Sequence, residues 1–238
     1  MSAHHVDVVV IGAGAAGMMC AAQAGQRGRS GLLLDHAEKL AEKIRISGGG
    51  RCNFTNRRVG AHNYLSRNPH FVRSALSRYT AQDFIALVER HGIRYHEREH
   101  GQLFCDDSAG DIIRMLQAEC AAGKVAWSMP THVAAISRNA DGRFALDTSR
   151  GHFTAASLVI ATGGLSIPKI GATAFGYRVA EQFGIPIVPP RPALVPLTLP
   201  PETLALFQPL SGASLDVEAS CGEGRFREAL LITHRGLS

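Results

Sequence analysis

Apolar and polar positions change their period along the 238-residue chain, and each change marks an element. Val6 to Ile11 is a short β-branched run ended by glycine, the pattern of a buried strand. Ala15 to Arg27 follows as a helix of small residues closed by Gly28. Gly31 to Asp35 then predicts a second apolar strand that finishes in an acid. Strand, glycine turn, helix and strand in so short a stretch make a βαβ unit.

Further on, Thr80 with Asp83 has the spacing of a helix-capping arrangement. Phe84, Leu87 and Val88 line the apolar side of the helix it opens, and Gly92 ends it. Ser108 with Asp111 opens another helix, which carries Ile112, Met115, Leu116 and Cys120 on one face and stops at Gly123. From Val125 the period shortens. Val125 to Ser128, His132 to Ser137 and Phe144 to Thr148 predict short strands, with a turn at Asp141-Gly142, and together a small antiparallel meander over about 124–155. Ser157 to Ala161 is again continuously apolar, as expected of a strand rejoining a buried parallel sheet, and ends in Thr162-Gly163-Gly164. Seven of the eleven prolines fall between Pro186 and Pro201, which excludes a helix and places a domain boundary there. The expected division is 1–188 and 189–238, the second part β-rich and short of the apolar material for a complete core.

Composition narrows the class. Hydrophobic residues make up 45% and charged residues 19%, the balance of a soluble globular chain rather than a disordered or fibrous one. Five cysteines form no CxxC pair and no ligand spacing with the eleven histidines, so neither a zinc site nor a disulfide framework is indicated, and a reducing cytoplasm is the expected location. No run reaches the length of a membrane span, and the N-terminus lacks the features of a signal peptide. The net charge of +5 is locally concentrated. From Lys43 to Gln82 there are eight Lys or Arg residues and no Asp or Glu, which reads as a solvated basic face or as a neighbour to something anionic, with nucleic acid the weaker choice of partner.

The chemistry begins at Gly12-Ala13-Gly14-Ala15-Ala16-Gly17. In a GxGxxG turn the first glycine permits the tight turn off the strand, the second lets the backbone approach a diphosphate, and the third lets helix and sheet pack closely. The start of the helix then presents free N–H groups and a positive dipole end to phosphate. As a bare pattern this is weak, but here it follows a strand, opens a helix and is answered by Asp35 at the end of the second strand. Asp35 is placed to accept from ribose hydroxyls, and its charge disfavours a 2′-phosphate. Ile46-Ser47-Gly48-Gly49-Gly50-Arg51-Cys52-Asn53 sets three glycines beside cations, giving either exposed backbone donors for a cofactor or a flexible surface turn. Ala161-Thr162-Gly163-Gly164 is a second small-residue strand end able to approach the same dinucleotide. Cys52 sits in the cationic loop, where a thiol is either partly ionised or simply buried and structural.

VVVIGAGAAGMMCA at Val8 to Ala21, ISGGGRCNFTN at Ile46 to Asn56, ATGGLSIPKIGATAFGYRVAEQFG at Ala161 to Gly184 and PALVPL at Pro192 to Leu197 together resemble one family, the BaiN/YhiN-like flavoproteins, also described as NAD(P)/FAD-dependent or aminoacetone oxidase family FAD-binding enzymes. The resemblance implies an α/β flavoprotein of the two-dinucleotide-binding-domain type, with FAD in an N-terminal Rossmann-type domain and an inserted second domain beginning near the prolines. It implies FAD contacts from Gly12, Gly14, Ala15, Ala16 and Gly17 at the diphosphate and Asp35 at the adenosine ribose. It also implies Gly49, Gly50 and Arg51 along the cofactor, the backbone of Val133 at the adenine, and Ala161, Thr162 and Gly163 at the closing strand. Members of the family are longer, so this chain is expected to stop inside the inserted domain, before a segment that completes the flavin pocket.

The expected activity is an FAD-dependent hydride transfer to or from a small molecule, with NAD(P)H as a candidate electron donor and Gly48 to Arg51 stabilising charge on the reduced flavin. The resemblance extends this to a small or steroid-like unsaturated compound. Three alternatives stand beside it: a non-catalytic fragment or structural nucleotide-binding protein, a flavin-dependent nucleic-acid-modifying enzyme suggested by the basic segment, and a plain NAD dehydrogenase, for which no catalytic set is evident.

Overall fold

The structure, a computed structural model, describes residues 4–192 and 195–238. Ala193 and Leu194, inside the Pro192 to Leu197 motif, lie outside the described residues. The chain divides into two compact units, Met1–Pro186 and Ile187–Ser238.

In the first unit the elements run β1 (His4–Ile11), α1 (Ala15–Gln26), β2 (Gly31–Leu34), α2 (Glu42–Ile46), β3 (Asn53–Asn56), α3 (Arg73–Arg78), α4 (Ala81–Arg90), β4 (Tyr95–Glu97), β5 (Gln102–Cys105), α5 (Ala109–Ala122), β6 (Ala126–Ser128), β7 (Val133–Arg138), β8 (Phe144–Thr148), β9 (Gly151–Ile160) and α6 (Phe175–Gln182). A six-stranded sheet has the order β6-β2-β1-β9-β8-β7. Its first four strands are parallel, and β8 and β7 continue it antiparallel. The α/β, Rossmann-type class expected from the sequence is therefore the observed one.

Why β1 and β2 read as unbroken apolar runs is clear from their two faces. Val10 and Leu33 point into a cluster with Met18, Ala21 and Ala22 of α1 and Ile112, Met115 and Leu116 of α5. Their neighbours Val9, Ile11, Leu32 and Leu34 join Ile136, Leu146 and Phe153 of the antiparallel strands and Val179 of α6 on the opposite face. Strands covered on both sides lose the polar alternation of a half-exposed sheet. Each such side chain removed from water contributes about 1.5–3 kcal/mol.

The meander departs from expectation in its membership. Ala126–Ser128 is no part of it: β6 pairs parallel with β2, Leu32 opposite Ala126. It is reached through α5, and a crossover helix returns the chain in the direction that parallel pairing requires. The antiparallel part is β7-β8-β9, and β9 is longer than the Ser157 start expected, since from Phe153 onward it also pairs with β1. A three-stranded sheet, β3-β5-β4, was not legible in the sequence. Both expected helix caps are present: Thr80 accepts from the Asp83 N–H at 3.1 Å, and Ser108 accepts from the Gly110 N–H at 3.0 Å.

The second unit, described by itself, holds β10 (Leu197–Thr198), α7 (Pro201–Phe207), β11 (Ser214–Cys221), β12 (Gly224–Thr233) and β13 (Gly236–Leu237). The strands form an antiparallel sheet in the order β10-β13-β12-β11. No helix among the described residues is long and apolar enough to cross a membrane.

Candidate cofactor site

The site starts where β1 stops. The Gly12 N–H donates to the Leu34 carbonyl at 2.7 Å, and the Ala161 N–H donates to the Ile11 carbonyl at 2.7 Å, so the turn is held between the ends of β2 and β9. Gly12 has φ of 112°, a conformation L side chains rarely adopt, and a Cβ there would stand 2.4 Å from the Ala161 carbonyl oxygen. A Cβ on Gly17 would stand 1.7 Å from the Gly12 carbonyl oxygen, so α1 lies against the turn only because residue 17 has no side chain. Gly14 differs from both: a Cβ there would meet nothing within 4 Å. It caps α1 without a side-chain hydrogen bond, and no acid stands in the first turn. The N–H groups of that turn thus have no partner inside the helix, and the positive end of its dipole faces whatever lies beyond.

What lies beyond is a cavity of about 420 Å³, within the usual size of small-molecule sites. Gly12 to Ala16, Asp35 to Ala37, Ala161 to Gly164, Ser166, Ile167 and Ile170 to Ala172 line it. Met19, Phe54, Phe84, Ile112 and Leu116 supply an apolar wall, and Lys39 and Lys43 bring cations to the rim. The Lys43 Nζ donates to Ser166 Oγ at 2.7 Å, tying α2 to the loop after β9.

Asp35 holds the end of the cavity together. One carboxylate oxygen accepts from the Ala13 N–H at 2.6 Å, inside the glycine turn, and the other from the Ala37 N–H at 2.9 Å. The oxygen facing Ala37 also lies 3.4 Å from His36 Nδ1, while the one accepting from Ala13 keeps a lone pair for a further donor such as a ribose hydroxyl. The Thr131 N–H donates to the Asp35 carbonyl at 2.7 Å, which brings the segment leading into β7 to the same end.

The structure therefore gathers Gly12, Gly14, Ala15, Ala16, Asp35, Ala161, Thr162 and Gly163 on one cavity. Gly17 lies one turn deeper, buried under the glycine turn. The Ser47–Asn53 loop reaches the cavity through Ser47, Cys52 and Asn53 rather than through Gly49, Gly50 and Arg51, and the Arg51 side chain is exposed. Val133 does not line the cavity; it sits half-buried at the start of β7, two residues beyond Thr131. Cys52 is buried, and burial pushes its thiol above the ordinary range, which fits a buried structural cysteine rather than a partly ionised group. Among the described residues no cluster of His, Cys, Asp and Glu could hold a metal ion.

Lys39, Lys43, Ser166 and the apolar wall were not anticipated. Lys43 belonged to the conspicuous basic run, but nothing in sequence separates a cavity cation from a solvated one. The wall comes from four elements far apart along the chain.

A glycine turn between two strand ends, an uncapped helix start and an acid closing β2 define a Rossmann-type, dinucleotide-binding fold. The chain belongs to the HI0933-like family, whose Rossmann-domain model matches residues 6–234. It is 51% identical over 233 residues to a ribosomal RNA dihydrouridine synthase of Escherichia coli, covering 98% of this chain and 58% of that protein. A protein of the same name from Haemophilus influenzae is 50% identical over 235 residues, with 97% and 58% covered. The 3-dehydro-bile acid delta(4,6)-reductase of Clostridium scindens is 26% identical over 219 residues, with 91% and 52% covered. The chain thus spans under three-fifths of the length of these curated relatives.

Proposed function

We propose that this chain is the FAD-holding part of a flavoenzyme that reduces uridine to dihydrouridine in ribosomal RNA, with NAD(P)H as electron donor. The observation that carries the cofactor assignment is the cavity itself: free helix N–H groups on one side and the Asp35 carboxylate at its end suit a diphosphate next to a ribose. The RNA substrate is supported by the half-identical relatives, which match nearly the whole of this chain.

Bound FAD would supply the two-electron chemistry that adds a pair of hydrogens across one C=C bond of the pyrimidine ring. The chain's own residues bind and orient. Gly14, Ala15 and Ala16 offer backbone donors to the diphosphate, and Gly12 and Gly17 keep the turn and α1 close enough for those donors to converge. Asp35 fixes the turn through Ala13 and receives the ribose. Met19, Phe54, Phe84, Ile112 and Leu116 exclude water from one wall, which strengthens polar contacts elsewhere in the cavity.

The test is to purify the full-length protein, identify its chromophore by mass spectrometry, and incubate it with unmodified ribosomal RNA and NADPH. Nucleosides heavier by two hydrogens, formed with stoichiometric donor oxidation, support the reading. A yellow protein that oxidises NADPH against a steroid enone but leaves RNA unchanged would move the assignment to a small-molecule reductase, the reading that the Clostridium scindens relative favours.

A further inference from the structure

We infer that residues 57–79 form a docking surface for single-stranded RNA, an inference that rests on the proposed reaction and assigns its substrate a path to the cavity. β3 supplies Asn53 and Phe54 to the cavity, and the chain leaves its end directly into this segment. Arg58, Arg67, Arg73 and Arg78 are all exposed and form no ion pair among the described residues. Some arginines elsewhere are matched by acids, as in Arg94 with Asp107, Arg143 with Asp141 and Arg227 with Asp216, whereas residues 57–79 contain no Asp or Glu at all. Within the segment only Arg57 has such a partner, Glu97 at 2.8 Å.

The same segment also carries exposed rings. Tyr64 is 43% exposed, Phe71 60% and Tyr79 40%, and between Arg57 and Tyr79 Val72 is the one buried side chain. Guanidinium groups interleaved with accessible aromatic faces match a strand that offers a phosphate and a base at each step. Duplex RNA hides its base faces, so the rings favour an unpaired strand.

The test uses the full-length flavoprotein and a fluorescent single-stranded oligouridine, followed by anisotropy across a salt series. Wild type is expected to bind with a steep salt dependence. The triple variant Arg67→Ala, Arg73→Ala, Arg78→Ala should bind more than ten-fold more weakly at low salt, with the slope of log affinity against log salt reduced by about 2, from three phosphates at about 0.7 each. Phe71→Ala should weaken binding about ten-fold and leave that slope unchanged. Arg27→Ala with Arg29→Ala should do neither, and flavin content and melting temperature should hold in every variant. Wild-type affinity and slope in the triple variant, or tighter binding to duplex RNA or polyglutamate than to oligouridine, would overturn the inference. Dihydrouridine formed at the wild-type rate by the triple variant would sink the surface and spare the reaction. RNA binding lost in the triple variant, with no dihydrouridine from any form of the protein, would do the reverse.

Discussion

Two glycines only three residues apart should respond to alanine in opposite ways. Gly17→Ala places a methyl 1.7 Å from the Gly12 carbonyl oxygen, where ordinary contact begins near 3.4 Å, so α1 would have to retreat by about 1.7 Å. Helix backbone would be pushed from strand-end backbone, and no rotamer relieves that. Overpacking of this kind costs about 1–3 kcal/mol, and the rigid partners put this case at the upper end. At about 2–4 °C per kcal/mol for a chain of this size, the melting temperature should fall by about 6–12 °C. Gly14→Ala meets nothing within 4 Å and has φ of −84°, so its melting temperature should stay within about 2 °C of wild type. It lines the cavity, however, and a methyl beside the diphosphate should remove a charge-assisted contact of about 1.5–3 kcal/mol, a loss of about ten- to 150-fold in FAD affinity. Thermal melts of the cofactor-free protein and FAD titrations followed by flavin fluorescence separate the two effects. A Gly17→Ala protein that melts with wild type, or a Gly14→Ala protein that binds FAD with wild-type affinity, would overturn these assignments.

Asp35→Ala should weaken FAD binding and also lower stability by about 1–3 kcal/mol, because the Ala13 and Ala37 N–H groups lose their acceptor; a thermal melt of the cofactor-free protein checks the second part. Alkylation of the native chain with iodoacetamide near neutral pH, followed by mass spectrometry, should label exposed Cys221 first and leave Cys52, Cys105 and Cys120 untouched until unfolding, since burial raises all three thiols, Cys105 to about 12. Hydrogen bonds from His91 and Gln26 hold the Glu119 carboxyl below its ordinary value of 4.5, so its folded state is favoured above that pH and the advantage disappears as pH falls through the lowered value. Glu119→Gln should therefore flatten the pH dependence of stability below about pH 4.5, as read by acid titration of circular dichroism.

The parts of the fold written in contiguous residues were legible. β1, the glycine turn, α1 and β2 follow one another with no insertion, and the Thr80–Asp83 and Ser108–Asp111 caps are local pairs. The three residues of β6 carry no period that separates it from the meander, and its partner β2 lies far back along the chain. β3, β4 and β5 escaped for the same reason: three- and four-residue strands specify no partner by themselves. At the site, residues that close a turn could be named, while Lys43, Ser166 and the Phe54–Phe84 wall reach the cavity only through tertiary packing. For the Cys52 thiol the sequence left two readings open, since the desolvation that decides its ionisation is a property of the folded loop.

A crystal structure of the protein grown with FAD decides whether the glycine turn holds the cofactor. Diphosphate oxygens should lie within hydrogen-bonding distance of the Gly14, Ala15 and Ala16 N–H groups, with ribose hydroxyls on the Asp35 carboxylate. Electron density for the cofactor elsewhere, with the start of α1 facing only solvent or protein, would rule this placement out.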